Sequence, residues 1–181
     1  MYPKAKKPLK KEKFKKSKIE VINHLNPLSG VIKDYYLHKS SHAIELFVEM
    51  LPPSANKLYE KGVRFSVKHN KQVIHCSNHP DIEVFRNFVW KVVNNQKAKF
   101  VPTGTVAAVI ELYSKDWLNK DGTTKKKDSD NMIKPLMDAL EEALGFPDEL
   151  VYYHHVFKVI PESDRQAVKV TLFDTDPIIY H

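Results

Sequence analysis

Ile44, Leu46, Val48 and Met50 fall on alternate positions, the period of a half-buried strand, and Pro52-Pro53 ends it. Val63, Phe65 and Val67 lie on one face of a second extended run, which predicts a hairpin with the segment around Val73 and Ile74. From Asn78-His79-Pro80 the period changes. Ile82, Phe85, Val89 and Val93 recur at spacings of three and four, so this stretch predicts a helix with Pro80 in its first turn and those four residues toward the core. Residues 101–113, rich in Val, Ile and aromatic side chains, predict a long strand leading into the charged loop 115–127. Met132, Ile133, Leu136, Met137, Leu140, Ala143 and Leu144 then form a broad helical apolar stripe, with Lys134, Asp138, Glu141 and Glu142 opposite it. Gly145 is the expected stop, and Pro135 must fall in the first turn or bend the helix. Residues 150–160 and 166–173 predict paired strands around a turn at 161–165. This order of elements argues for an α+β fold, a single domain in which helices pack against a mixed β-sheet.

The 181 residues suit one domain with an appendage, and 42% apolar content can supply one core. The domain is expected over 44–181. Residues 19–43 form a connector containing Pro27 and Gly30 whose structure the pattern leaves open. Residues 1–18 carry nine lysines against one glutamate, with Pro3 and Pro8 interrupting any helix, and predict a disordered basic tail. Such a run is either a solvated tail or an arm lying along a polyanion. The net charge of +7 and pI near 9.3 favour partners such as nucleic acid. No apolar stretch approaches the roughly 20 residues of a membrane span, and the lysine-rich start lacks the apolar segment of a signal peptide, so a cytoplasmic protein is expected. The single cysteine, Cys76, forms no intrachain disulfide. The chain has no internal repeat and no Gly-rich phosphate loop.

The candidate chemistry concentrates at Asp128-Ser129-Asp130-Asn131 and, beyond the helix, Asp148. Carboxylate oxygens are hard ligands suited to Mg²⁺, or equally Mn²⁺, and Lys125-Lys126-Lys127 immediately upstream suit a phosphate backbone. The plainer reading is that Asp128 or Asp130 caps the helix, since aspartate accepts a hydrogen bond from a first-turn N–H. The two readings are compatible. If the backbone there is extended, both aspartates share one face and repel unless a cation or proton lies between them. Other groupings are weaker. His75, Cys76 and His79 offer at most three irregularly spaced ligands where a structural zinc takes four. His154 and His155, neighbours on a strand, point to opposite faces. Trp90 and Trp117 suit core or interface roles, although Trp117 in the basic loop could meet a splayed base.

Taken together, Asp128-Ser129-Asp130-Asn131, Lys134, Asp138-Ala139-Leu140, Gly145-Phe146 and Asp148 before Tyr152-Tyr153 resemble the RusA-type Holliday junction resolvases, a family often phage-encoded. Upstream, Leu51-Pro52-Pro53-Ser54-Ala55-Asn56-Lys57-Leu58-Tyr59 is similar to the family's Pro-Pro-Ser-Asn-Asn loop, with Ala55 in place of its first Asn. The likeness spans about residues 44–173. It implies a RusA-like fold and a metal-dependent endodeoxyribonuclease acting in recombination and repair. It further implies that Asp128, Asp130 and Asp148 hold Mg²⁺ or Mn²⁺, with Glu149 the alternative to Asp148 because the connection from Gly145 is short. Lys134 would assist catalysis, and Lys125, Lys126, Lys127, Asn56 and Lys57 would contact DNA. The partner implied is branched DNA, cut by a homodimer through metal-activated water.

Overall fold

Val106, Ala107, Ala108, Val109, Ile110 and Leu112 leave the strand they form with no polar face, so both its sides must be covered and both its edges paired. The computed structural model describes residues 27–57, 59–66 and 71–176, without the side chains of 27, 57–66 and 71–78, and gives that strand this central place. In chain order the elements are α1 (Pro27–Leu37), β1 (Ser40–Val48), β2 (Tyr59–Ser66), β3 (Lys71–Asn78), α2 (Pro80–Asn95), β4 (Thr105–Tyr113), α3 (Asp130–Leu144), β5 (Val151–Val159) and β6 (Ala167–Thr175). Short 3₁₀ turns occupy Ala55–Lys57, Lys115–Trp117 and Asp148–Leu150. Four strands form one mixed sheet in the order β1-β6-β4-β5, and β2 and β3 form a separate antiparallel hairpin. The α+β class read from the sequence is borne out.

One expected pairing is not. The strands β5 and β6 follow each other in the chain but are not neighbours: β6 runs antiparallel to both β1 and β4, whereas β5 pairs with β4 in parallel. The physical reason is β4 itself. Its apolar residues on both faces demand a partner along each edge, and β5 and β6 take one edge each. Parallel pairing of β4 with β5 needs a crossover, which α3 supplies. Because Val106 lies beside Val151, at the starts of the two strands, α3 must run back antiparallel to both.

α2 and α3 cover one face of the sheet. Ile82, Phe85, Val89 and Val93 are buried on α2 as their spacing requires, and α3 contributes Met132, Leu136 and Leu140 to the same core as Leu46, Val48, Ile110 and Leu112. Full burial of such a side chain stabilises by roughly 1.5–3 kcal/mol. His79 caps α2, its Nδ1 accepting from the Asp81 N–H at 3.2 Å, and Pro80 starts the first turn. Gly145 ends α3 with φ at +75°, a conformation that suits glycine, and donates its N–H to the Glu141 carbonyl. Pro135 lies in the second turn of α3, beyond the expected first turn, and is buried.

The connector holds a helix. α1 packs on the opposite face of the sheet, where Tyr36 meets Ala107, Val109 and Phe173. Polar contacts fix it there. Glu111, an acid in an otherwise apolar strand, accepts from Ser29 Oγ at 2.7 Å and from Lys33 Nζ at 2.6 Å. Tyr36 Oη lies 2.9 Å from His155 Nε2. At the far end of the sheet, Asp174 binds the approach to β4 by accepting from Thr103 N, Thr103 Oγ1, Gly104 N and Ser41 Oγ. Burial works to raise its pKa, but those hydrogen bonds outweigh it and hold the carboxyl below its ordinary value.

Candidate active site

The loop from β4 to α3 is held by its own side chains. Trp117 is buried and donates its indole N–H to the Leu112 carbonyl at 2.8 Å, which excludes it as an exposed platform for a base. Its ring instead supports two ammonium groups, Lys127 Nζ at 5.0 Å and Lys158 Nζ at 5.3 Å from the centroid. Lys158, near the end of β5, also donates to the Lys127 carbonyl. Lys125 donates its N–H to the Trp117 carbonyl. An open groove of about 310 Å³ results, lined by Lys125, Lys126, Lys127, Asp128 and Lys158. A neighbouring groove adds Asn119 and Thr124 to the three consecutive lysines.

Asp128 and Asp130 stand where this basic wall meets the start of α3. The N-cap of α3 is Ser129, which makes no side-chain cap bond, and Asp128 just before it reaches forward: Oδ1 accepts the Asp130 N–H and Oδ2 the Asn131 side-chain amide, both at 3.0 Å. The backbone is not extended there, since Ser129 is helical with φ −88° and ψ −24°. The shared face expected of an extended Asp-Ser-Asp is therefore absent, and the Asp128 side chain is joined to the Asp130 backbone through a tight turn into the first residue of the helix. Both are exposed. Among the described residues the Asp130 carboxylate has no hydrogen-bond or ion-pair partner, so its oxygens are open to an incoming cation. One turn into the helix, Lys134 is exposed, with Nζ 3.1 Å from Asp138 Oδ1.

Asn56 is exposed in the Pro-Pro-Ser loop, its N–H donating to Ser54 Oγ, and the turn Ala55–Lys57 packs against α3. The fold thus joins two segments that are more than 70 residues apart in the chain. The Lys57 side chain, those of His75 and Cys76, and residues 1–18 lie outside what is described. Lys158 escaped the sequence reading because it sits some 30 residues beyond the basic run, in a strand that the residue order alone does not place beside it.

Asp148 is elsewhere. It begins the 3₁₀ turn that follows α3, whereas Asp128 and Asp130 precede the helix. Its charge acts on His154, whose pKa is lowered by partial burial and by the neighbouring His155 and is only partly restored by Asp148. His155 is likewise lowered by burial against α1. Among the described residues no three His, Cys, Asp or Glu side chains are grouped to hold a metal ion. The donor chemistry of Asp128 and Asp130 fits a hard divalent cation, but a single chain does not assemble the three-carboxylate set.

The fold and site define a small α+β protein in which Asp128 lines a lysine-walled groove and Asp130 follows it at the start of α3. The family model for endodeoxyribonuclease RusA matches residues 59–172, more than half of the chain. This chain belongs to that family of Holliday junction resolvases, and its class of activity is endonucleolytic cleavage of DNA. No curated protein matches the chain. Among the described residues no helix is long and apolar enough to cross a membrane.

Proposed function

We propose that this protein is a divalent-metal-dependent resolvase that cuts four-way DNA junctions as a homodimer during recombination and repair in the cytoplasm. The observation that carries the reading is Asp128 in the groove of Lys125, Lys126, Lys127 and Lys158, with the exposed Asp130 two residues on at the start of α3, in a chain of the RusA family. Lysines bind phosphates without reading sequence, so this groove would set the register of the DNA backbone beside the carboxylates. Asp128 and Asp130, with Asp148 or its neighbour Glu149, are the residues that would hold Mg²⁺ or Mn²⁺. Such an ion supplies charge neutralisation at the scissile phosphate and lowers the pKa of water. Lys134 would exchange its ion pair with Asp138 for the phosphate as negative charge builds there. Asn56 and Lys57, on the loop packed against α3, would steady the strand from the other side.

Labelled four-way junction, flap and duplex DNA, each incubated with the protein with and without Mg²⁺, test this reading. The expected result is a symmetric pair of nicks in the junction only when Mg²⁺ is present. Preferential cutting of flaps would assign a different branched substrate, and binding without cleavage at any metal concentration would contradict the proposal.

A further inference from the structure

α1 runs antiparallel to β4 across one face of the sheet. Tyr36, near its end, meets Ala107 and Val109, whereas Ser29, near its start, reaches Glu111. Glu111 stands in one row with Lys169 and Phe47, because β6 places Lys169 between them. The helix therefore begins at that row, and the chain that precedes Pro27 enters there. Beyond the row lies Tyr113, the last residue of β4, its ring edge-on to Phe47 with 6.2 Å between centroids. Both rings are half-buried. Arg165 sets its guanidinium 4.6 Å from the centre of the Phe47 ring, and the turn 161–165 walls one side. Together with Glu45 and Lys169 these groups line an open groove of about 480 Å³.

The eight residues just before α1 are Ile19-Glu20-Val21-Ile22-Asn23-His24-Leu25-Asn26, and they lie outside the described residues. Four of them are Ile, Val or Leu, whereas residues 1–18 hold nine lysines, so this stretch is the part of the segment best able to bury apolar surface. Glu20 carries its only full charge, and the groove sets two cations, Arg165 and Lys169, against one acid, Glu45. Reach is ample. Eight extended residues span up to about 26 Å, and Phe47 is two strands, roughly 10 Å, across from Glu111. Residues 177–181 are no competitor, because β6 ends at the opposite end of the sheet, where Thr175 faces Thr105. The groove is also tied to the catalytic loop. Lys115 Nζ lies 2.9 Å from Asp164 Oδ1 in the turn, and Gln166, just after it, donates its Nε2 to Asp116 Oδ2 at 3.3 Å. Lys115 and Asp116 open the loop 115–127 that ends in the three lysines before Asp128.

We propose that residues 19–25 dock in the groove of Phe47 and Tyr113 of their own chain, and so hold the lysines of residues 1–18 at the end of the sheet where the loop 115–127 presents its own. The docking stands by itself; the arm's part in DNA binding rests on the function proposed above. Nuclear Overhauser effects in the full chain, with methyl-labelled isoleucine and no DNA present, test the docking. Contacts should link the methyl groups of Ile19 or Ile22 to the rings of Phe47 and Tyr113, and should vanish in Val21→Asp with Ile22→Asp. Absence of those contacts in the unaltered chain would overturn the docking. In a mixture of methyl-labelled and ring-labelled chains, contacts that arise only between chains would place a second copy in the groove and overturn it equally. Affinity for a fluorescent four-way junction, measured over a range of salt, tests the arm. The double variant keeps every lysine but frees the arm, so affinity should fall about tenfold through lower effective concentration, with the salt slope retained. Unchanged affinity would overturn the arm's role. A protein that binds no junction would refute the proposed function and the arm's role with it, while the methyl contacts still decide the docking.

Discussion

At the scale of single residues, Lys134 and Asp174 illustrate a functional and a structural use of charge. Lys134 is exposed and its ammonium pairs with Asp138 one turn along α3, an exposed contact that contributes little to stability. Its replacement by alanine should leave folding and junction affinity nearly unchanged while lowering single-turnover cleavage about 10²- to 10³-fold, the usual cost of one transition-state contact. A rate within about threefold of the unaltered protein, under 1 kcal/mol, would remove it from the site. Asp174 accepts four hydrogen bonds from Thr103, Gly104 and Ser41 in a buried corner. Asp174→Ala strands those donors, and each buried unmet donor costs about 1–3 kcal/mol, so a loss of roughly 3 kcal/mol or more is expected in urea unfolding. The pH dependence has a definite sign. Because the folded carboxyl is held below its ordinary value, its stabilisation is complete above about pH 4 and is lost as pH falls through the folded pKa. The acid limb of the stability profile should therefore be shallower in Asp174→Asn, and an unchanged limb would show that other carboxyls govern acid unfolding.

Among the elements, α1 is attached to the sheet by a small number of polar contacts as well as by Tyr36. Glu111 is buried and its charge is met by Lys33. Lys33→Met keeps the aliphatic stem but leaves that carboxylate unpaired, which should destabilise by about 2–3 kcal/mol once partial solvent access to Lys33 is allowed for. The melting temperature should fall by roughly 4–10 °C. Lys33→Met with Glu111→Leu should recover most of the loss, and if the pair of changes is additive the two groups do not act on one another. Elements with strong local signals were legible in the sequence. The four-residue stripe of α2 follows from helical period, and the end of α3 from a glycine in a left-handed conformation. α1 gave little local signal, because two of the residues it buries, Ser29 and Tyr36, are polar or amphipathic and Gly30 lies between them. The order of β5 and β6 was illegible for another reason. Strand pairing is decided by what β4 requires on each edge, a demand that lies some 50 residues away from the strands it places.

In the whole molecule, charge is arranged in two places, the lysine groove beside Asp128 and the run of lysines within residues 1–18. The contiguous part of the site, from Lys125 to Lys134, was legible because its residues are neighbours in the chain. That Asp148 follows the far end of α3 was legible in the order of the residues, whereas Lys158 became apparent only when β5 was placed beside the loop that leads into α3. If the first 18 residues lie along DNA, deleting them should weaken junction binding and reduce the dependence of log affinity on log salt by about 0.9 for each phosphate released. The cleavage rate at saturating DNA should remain nearly intact, and an unchanged salt slope would show that this segment does not touch DNA.

The claim that Asp130 is a metal-binding carboxylate of a nuclease site is tested most directly by single-turnover cleavage of a four-way junction by Asp130→Asn at saturating Mg²⁺, with junction binding measured in parallel. The substitution keeps the size of the side chain and removes the charge, so cleavage should be lost while binding is retained or strengthened. Cleavage at the rate of the unaltered protein would contradict the assignment.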